Sequence, residues 1–452
     1  MAHVIALVDH TNSILKEVAD DLELVFEKKL SEWEKRKFNR SSATPAKCVN
    51  LYLPLDNKIA IPFFYSRSKF STIPNRDKEH AITTLSFEGE LRPAQKKVKN
   101  DIVRALNKNG TALLSAHPGF GKTAIGIYIA CKIKYVTFVI SHRVVIANQW
   151  VESFKRFSPG VNVKIASSKT KYDSSVDVYV CNPVNIPKLN PKILSSIGLL
   201  IVDEAHCFCS PKNSIMPLYF EPRFVLGLTA TPDEHKMGEG VILEHYFSTK
   251  DNWVRKSLHA PHTVYRVATE YKYTPKVSSN GRLDWGSIIT EQCENKERNQ
   301  NIVDIIMKFN DRRILVLCKR KNQATQIKKM LDETTHEGEE GGSDSDIYMG
   351  SQKFANYDCR VLLTTYSKGG VGFDHPSLNM LIIASDVEAY IGQYHGRIFR
   401  GGGSTERPEL PVIVDLVDDF STLVKHWRSR RTYYIQSGAK IVNTNLNKIL
   451  EK

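Results

Sequence analysis

The run Ser115-Ala116-His117-Pro118-Gly119-Phe120-Gly121-Lys122-Thr123 constrains this chain more than any other. An apolar stretch, Ala112-Leu113-Leu114, precedes it, and a helix-like segment, Ala124 to Ile133, follows. Strand, glycine loop, Lys-Thr, helix is the order of a phosphate cradle. Loop and helix-start N–H groups point at phosphate oxygens, and the helix dipole favours their charge. His117, Pro118, Gly119, Phe120 and Gly121 would line the cradle, Lys122 would reach the outer phosphates, and the Thr123 hydroxyl would bind Mg²⁺. Ala116 stands where the general pattern has its first glycine.

The flanking pattern repeats the same architecture. From 87 to 245, short apolar runs (Ala112–Ser115, Val136–Ser141, Asp177–Cys181, Leu199–Val202, Val225–Leu228) alternate with helix-like segments. Unbroken apolar strands between helices predict a parallel sheet covered on both faces. The alternation resumes from 301 to 420 with Ile314–Cys318, Asp346–Met349, Val361–Thr365, Met380–Ala384 and Val412–Val417. The expected class is therefore α/β, with two tandem blocks. Residues 1–86 are expected to form a small accessory domain, with a helix over Asn12–Lys37. Residues 246–300 are expected to be a linker with an edge strand at Thr263–Val267, and 421–452 a basic tail.

Composition fits a globular chain: of 452 residues, 41% are hydrophobic and 25% charged. No apolar run approaches the roughly 18 residues of a membrane-spanning helix, and the N-terminus lacks the basic start of a signal peptide. An intracellular, soluble protein is expected. The net charge of +14 suggests contact with a polyanion, the alternative being a merely basic protein. The surplus is uneven: Ser421–Lys452 holds seven Lys/Arg against one Glu, and Trp253–Arg282 six against one. The eight cysteines form no C-x-x-C pair and are expected to be reduced, mostly buried thiols. The acidic, Gly/Ser-rich stretch Glu333–Asp346 is expected to be a surface loop.

Three further constellations carry chemistry. Leu199-Leu-Ile-Val-Asp203-Glu204-Ala-His206 is a buried strand ending in two acids. Ligands of parallel sheets bind outside the carboxyl ends of strands. Asp203 would hold Mg²⁺ and Glu204 would orient and deprotonate the attacking water; alone, such a pair can equally be a helix cap or solvated turn. Thr229-Ala-Thr231 ends another apolar strand, where its hydroxyls can bond the acids or simply cap the turn before Pro232. On a helix, Gln393, Gly396, Arg397 and Arg400 share one face, which would meet a triphosphate or be a solvated basic face. Before it, Thr364-Thr365 lead into a glycine-rich loop, Gly369 to Asp374, suited to gripping a nucleic-acid phosphate, with Asp374 able to contact nucleotide or the arginine helix.

In this order the motifs resemble those of superfamily 2 helicases and translocases over residues 87–420. Phe87…Leu91-Arg92-Pro93-Ala94-Gln95 resembles the adenine-side segment, which implies that Arg92 and Gln95 serve the nucleotide, with Gln95 reading the adenine edge. The cradle resembles motif I, Ser141–Trp150 motif Ia, Asp203–His206 motif II, Thr229–Thr231 motif III, Ile314–Arg320 motif IV, 364–374 motif V and 393–400 motif VI. Motif Ia departs from the family's frequent Pro-Thr, beginning Ser141-His142-Arg143. The compact layout is similar to the branch holding the xeroderma pigmentosum group B translocase and helicases of phages and large DNA viruses.

The resemblance implies two RecA-like domains with an ATP cleft between them and ATP and Mg²⁺ as cofactors. Lys122, Glu204, Gln393, Arg397 and Arg400 would be catalytic, and Gly372 and Asp374 would add to the nucleotide site. Arg143, Thr229, Thr231, Thr364 and Thr365 would contact or couple to nucleic acid, DNA ahead of RNA. No membrane is expected. Partners from transcription or replication would fit, in a virion or infected cell if the source is viral. The competing possibilities are a duplex translocase that does not separate strands, a non-catalytic nucleic-acid scaffold, and a small-molecule P-loop kinase.

Overall fold

A computed structural model describes residues 2–6, 12–26, 47–55, 58–233, 238–256, 261–277, 283–335, 344–352, 355–369, 375, 377–388, 391–399 and 410–451. The chain divides into two compact units that part near residue 256.

The first unit begins with β1 (Ala2–Ala6), β2 (Glu23–Phe26), β3 (Lys47–Asn50), β4 (Leu53–Leu55) and β5 (Lys58–Pro62). Strands β1, β5 and β4 form a small antiparallel sheet, and β2 pairs with β3. The helix expected over Asn12–Lys37 spans only Asn12–Leu22. Glu23-Leu24-Val25-Phe26 then runs as a strand, because alternation buries Phe26 and exposes Val25 while β3 supplies the ladder. Residues 27–37 lie outside the described residues. Val18, Leu22, Val49, Leu51 and Phe63 join the same apolar cluster as Phe138, Tyr179 and Phe220, so the N-terminal elements share the core of the unit that follows.

That core belongs to a seven-stranded sheet of β6 (Thr111–Ala116), β7 (Thr137–Ile140), β8 (Val163–Ala166), β9 (Val178–Cys181), β10 (Leu199–Asp203), β11 (Phe224–Thr229) and β12 (Val254–Lys256). Its order is β12-β6-β11-β10-β7-β9-β8, with every pairing parallel. Strands β6, β7, β9 and β10 are buried along their whole length, which is why the sequence reads there as unbroken apolar runs.

The second unit holds another all-parallel, seven-stranded sheet of β13 (His262–Thr269), β14 (Ile314–Cys318), β15 (Ser345–Tyr348), β16 (Val361–Thr365), β17 (Met380–Ile383), β18 (Val412–Asp418) and β19 (Ala439–Asn445). The order is β15-β16-β14-β17-β18-β13-β19. The expected edge strand at Thr263–Val267 is therefore an interior strand, flanked by β18 and β19. Its outer neighbour comes from the segment expected to be a tail. That segment folds as the helix Ser421–Gln436, β19 and the helix Leu446–Glu451. The edge position explains why β19 lacks a strong apolar signature: its residues are only half-buried or exposed.

Two buried ionic networks pin this second sheet. Arg430, in the helix Ser421–Gln436, donates from Nε and Nη2 to the two oxygens of Asp415 (2.8 and 2.9 Å) and from Nη1 to Asp386 (2.8 Å). Arg298 donates to both oxygens of Asp418 (3.0 and 3.1 Å), which also accepts from Thr269, Tyr273 and Gln292. Burial alone would raise the Asp418 carboxyl; Arg298 and the hydrogen bonds outweigh it and hold the group below its ordinary value. Part of the chain's positive charge is thus internal. Arg298, Arg397 and Arg430 are all buried, which composition could not reveal.

Candidate nucleotide site

Sheet register brings the first-unit motifs together. Thr229 at the end of β11 lies opposite Ser115 in β6, and Asp203 at the end of β10 lies opposite Leu228 in β11. The loop after β6, the acids after β10 and the threonines after β11 therefore share the carboxyl edge of one parallel sheet, where such sheets bind ligands.

The loop has the form a phosphate cradle needs. Gly119 and Gly121 take positive φ (+82° and +89°), the backbone that lets the loop turn tightly before the helix Lys122–Ile133 begins. A Cβ at Gly121 would lie 2.3 Å from Gln95 Nε2 and 3.0 Å from an Arg92 Nη, so the backbone passes close under both side chains. Arg92 and Gln95 are locked to each other: the Arg92 N–H donates to Gln95 Oε1 at 2.9 Å, at the start of the helix Pro93–Asn109. Inside the loop, the Phe120 N–H donates to the His117 carbonyl (3.2 Å), the two rings meet edge to face, and His117 Nδ1 is 2.8 Å from the Pro118 carbonyl oxygen. The Lys122 ammonium reaches back to donate to the Ala116 carbonyl at 3.0 Å. Thr123 is in the helix's first turn, partly exposed.

The acidic pair combines a buried Asp203 with a half-buried Glu204 whose backbone is strained. Glu204 takes left-handed φ, +48°, a conformation that costs a non-glycine residue on the order of 1–3 kcal/mol and concentrates at functional sites. Its Oε2 is buried, 3.4 Å from His206 Nδ1, with no hydrogen bond among the described residues. Asp203 is 7% exposed. Burial, then the neighbouring Glu204 charge, pushes its carboxyl up to about 6 against the lowering pull of Trp150 and Lys122. His206 Nδ1 lies 2.9 Å from Thr229 Oγ1, and burial pushes its imidazole down, favouring the neutral ring. Thr229 Oγ1 also accepts from the Thr231 N–H at 3.2 Å, tying motif II to motif III.

Two contributors escaped the sequence reading. Trp150 donates its indole N–H to Asp203 Oδ2 at 2.7 Å. Its signal was a buried-type Trp, whose N–H needs an acceptor, paired with a glycine in the neighbouring helix. His206 was visible as a motif letter, but its bond to Thr229 was not. Arg143 is exposed at the start of the helix Val144–Phe157.

In the second unit the picture is mixed. Thr364 is fully buried and its hydroxyl donates to the Tyr348 carbonyl (2.6 Å), a strand-to-strand tie. Thr365, 7% exposed, faces Ser367 Oγ at 3.1 Å. The expected arginine helix is short: α-helical from Ile391 to His395, then a 3₁₀ turn from Gly396 to Phe399. The tighter turn breaks the uniform i, i+4 face expected for Gln393, Gly396 and Arg397. Gln393 is half-buried and Arg397 is 4% exposed. Below that turn, His395 Nε2 lies 2.8 Å from His262 Nε2, anchoring it to β13. Gly372, Asp374 and Arg400 lie outside the described residues.

Residues 88–234 match the family model described as type III restriction enzyme, res subunit. The chain is 34% identical over 406 residues to the protein named helicase 161L of Invertebrate iridescent virus 6, covering 85% of this chain and 90% of that one. It is 32% identical over 360 residues to the protein named helicase 055L of Frog virus 3, covering 78% and 79%. A fragment of an HsdR subunit of a type I restriction enzyme from Vibrio vulnificus shares the fold, with a TM-score of 0.54 at 16% identity over 80% of this chain and 70% of that one. Two parallel sheets in tandem, the ordered motifs and these relatives agree: the chain belongs to the superfamily 2 helicases, in the family found in large DNA viruses, and is a helicase-type ATPase.

Proposed function

We propose that this helicase hydrolyses ATP with Mg²⁺ to move along, and unwind, DNA in a virus-infected cell. The observation that carries the reading is the shared sheet edge: register gathers the cradle, the two acids and Thr229, and Glu204 holds a left-handed backbone there at an energetic cost. The donors fit a hard cation: the Thr123 hydroxyl and the Asp203 carboxylate are oxygen ligands. Among the described residues no cluster of three or more His, Cys, Asp or Glu could hold a metal. When bound, Mg²⁺ supplies charge neutralisation at the phosphates. Lys122 binds phosphate, Arg92 and Gln95 border the base side, and Glu204 takes a proton from water at its free Oε2. Arg397 and Arg400 take the role of the charge-stabilising arginines, and Gln393, Gly372 and Asp374 that of further nucleotide-site residues, as the motif resemblance implies.

DNA as substrate is supported by the restriction-enzyme family match and by the basic surplus; no helix among the described residues is long and apolar enough to cross a membrane. Exposed Arg143 is a phosphate contact; Thr364 and Thr365 are both buried, and their part is to support the loop that follows rather than to touch a strand directly. ATP hydrolysis rates measured in parallel with no polymer, single-stranded DNA, duplex DNA and RNA test the proposal, with strand displacement alongside. Stimulation by DNA together with displacement supports it. Equal rates in all four would refute polymer coupling, RNA-only stimulation would refute the DNA assignment, and stimulation by duplex without displacement would leave a translocase.

A further inference from the structure

Asp203 differs from an ordinary buried carboxylate in what it bonds. Oδ1 accepts from the backbone N–H of Glu204 at 3.0 Å and Oδ2 from the Trp150 indole at 2.7 Å. Both donors are neutral, so they orient the group without cancelling its charge. The indole itself is fixed by packing. It is 1% exposed, lies against Phe154 (centroids 5.9 Å apart), and occupies space that a side chain at residue 126 would fill: a Cβ on Gly126 would be 2.9 Å from Trp150 Cη2. Gly126 sits in the helix Lys122–Ile133, one turn beyond Lys122 and Thr123. One glycine thus lets the helix of the cradle, the helix Val144–Phe157 and the end of β10 meet around a single N–H.

We infer that Trp150 is a positioning residue, whose indole N–H holds the Asp203 carboxylate in the orientation that serves the Mg²⁺-bound triphosphate. The inference rests on the assignment of Asp203 to the metal. Outer partners that orient metal-binding groups typically carry a 10–100-fold effect on metal affinity.

W150F keeps an aromatic ring and removes the N–H. Equilibrium binding of a fluorescent, non-hydrolysable ATP analogue, titrated with Mg²⁺ and repeated in EDTA, separates a positioning role from a structural one. The expected result is a half-saturating Mg²⁺ concentration raised roughly 10–100-fold, with analogue affinity in EDTA unchanged. An unchanged Mg²⁺ requirement, or an equal loss with and without metal, overturns the inference while leaving the metal assignment standing. Absence of any Mg²⁺ dependence in the wild type removes the assignment and the inference together. If W150F does not fold, the indole ¹⁵N–¹H resonance of Trp150 in the wild-type protein, assigned by elimination with W33F, W253F, W285F and W427F, gives an independent readout. It should exchange slowly with solvent and shift when Mg²⁺ is added to the analogue-bound protein; an unmoved resonance overturns the inference.

Discussion

Both seven-stranded sheets carry buried aspartates on or just beyond their strands, and the two sets are treated in opposite ways. In the second sheet Asp415 meets the two-pronged fork of Arg430 and Asp418 shares the Nε–H of Arg298, all essentially inaccessible to solvent. In the first, Asp203 meets an indole and a backbone N–H, and its carboxyl is pushed up to about 6. A buried charge that is fully paired serves the fold; one left without a guanidinium is a liability unless a ligand compensates it. The difference separates scaffold from site within one repeated architecture.

The largest effects that would break or sharpen the comparison lie at the chemistry. Arg397→Ala should lower kcat on the order of 10³–10⁵-fold, measured by steady-state ATP hydrolysis with DNA present. Glu204→Gln should lower hydrolysis about 10²–10⁴-fold while equilibrium binding still detects ATP; unchanged turnover would remove it as the base.

Scaffold substitutions come next. Arg430→Ala should cost roughly 3–5 kcal/mol by chemical denaturation, because Asp415 and Asp386 would be left buried without their cation. A loss below about 1 kcal/mol would place the network among weak surface pairs. The smallest effect is pH dependence. The folded protein holds Asp418 below the ordinary carboxyl value of 3.8, so just under that pH it binds fewer protons than the unfolded chain. Stability from this group is complete above that value and drains away as pH falls through the folded one. Acid melting curves of wild type and Asp418→Asn should converge at low pH; parallel curves would contradict the pairing.

The first sheet was largely legible because its strands are buried on both faces and leave unbroken apolar runs, and because the cradle's glycines and the acids after β10 have few other uses. The second was less so. Strand β13 is disguised by a basic, aromatic neighbourhood, and β19 by its half-buried edge position among lysines and asparagines. The early end of the helix at Leu22 depended on pairing with β3, more than twenty residues on, which no local period records. At the site, sequence named Asp203 and Glu204 but not the indole between helices, since a Trp-to-carboxylate bond is set by register and packing rather than by spacing. The arginine segment reads in sequence as continuous α-helix, whereas Gly396–Phe399 is a 3₁₀ turn whose Phe399 ring meets His262 edge to face, a contact no local spacing records.

The contrast between bare and paired acids is tested most directly by comparing Asp203→Asn with Asp415→Asn for melting temperature and DNA-stimulated ATP hydrolysis. Asp203→Asn should melt at or above the wild-type temperature and lose hydrolysis, whereas Asp415→Asn should melt well below it because Arg430 is left partly unpaired. An Asp203→Asn protein that hydrolyses ATP at the wild-type rate, or an Asp415→Asn protein of unchanged melting temperature, would contradict the account.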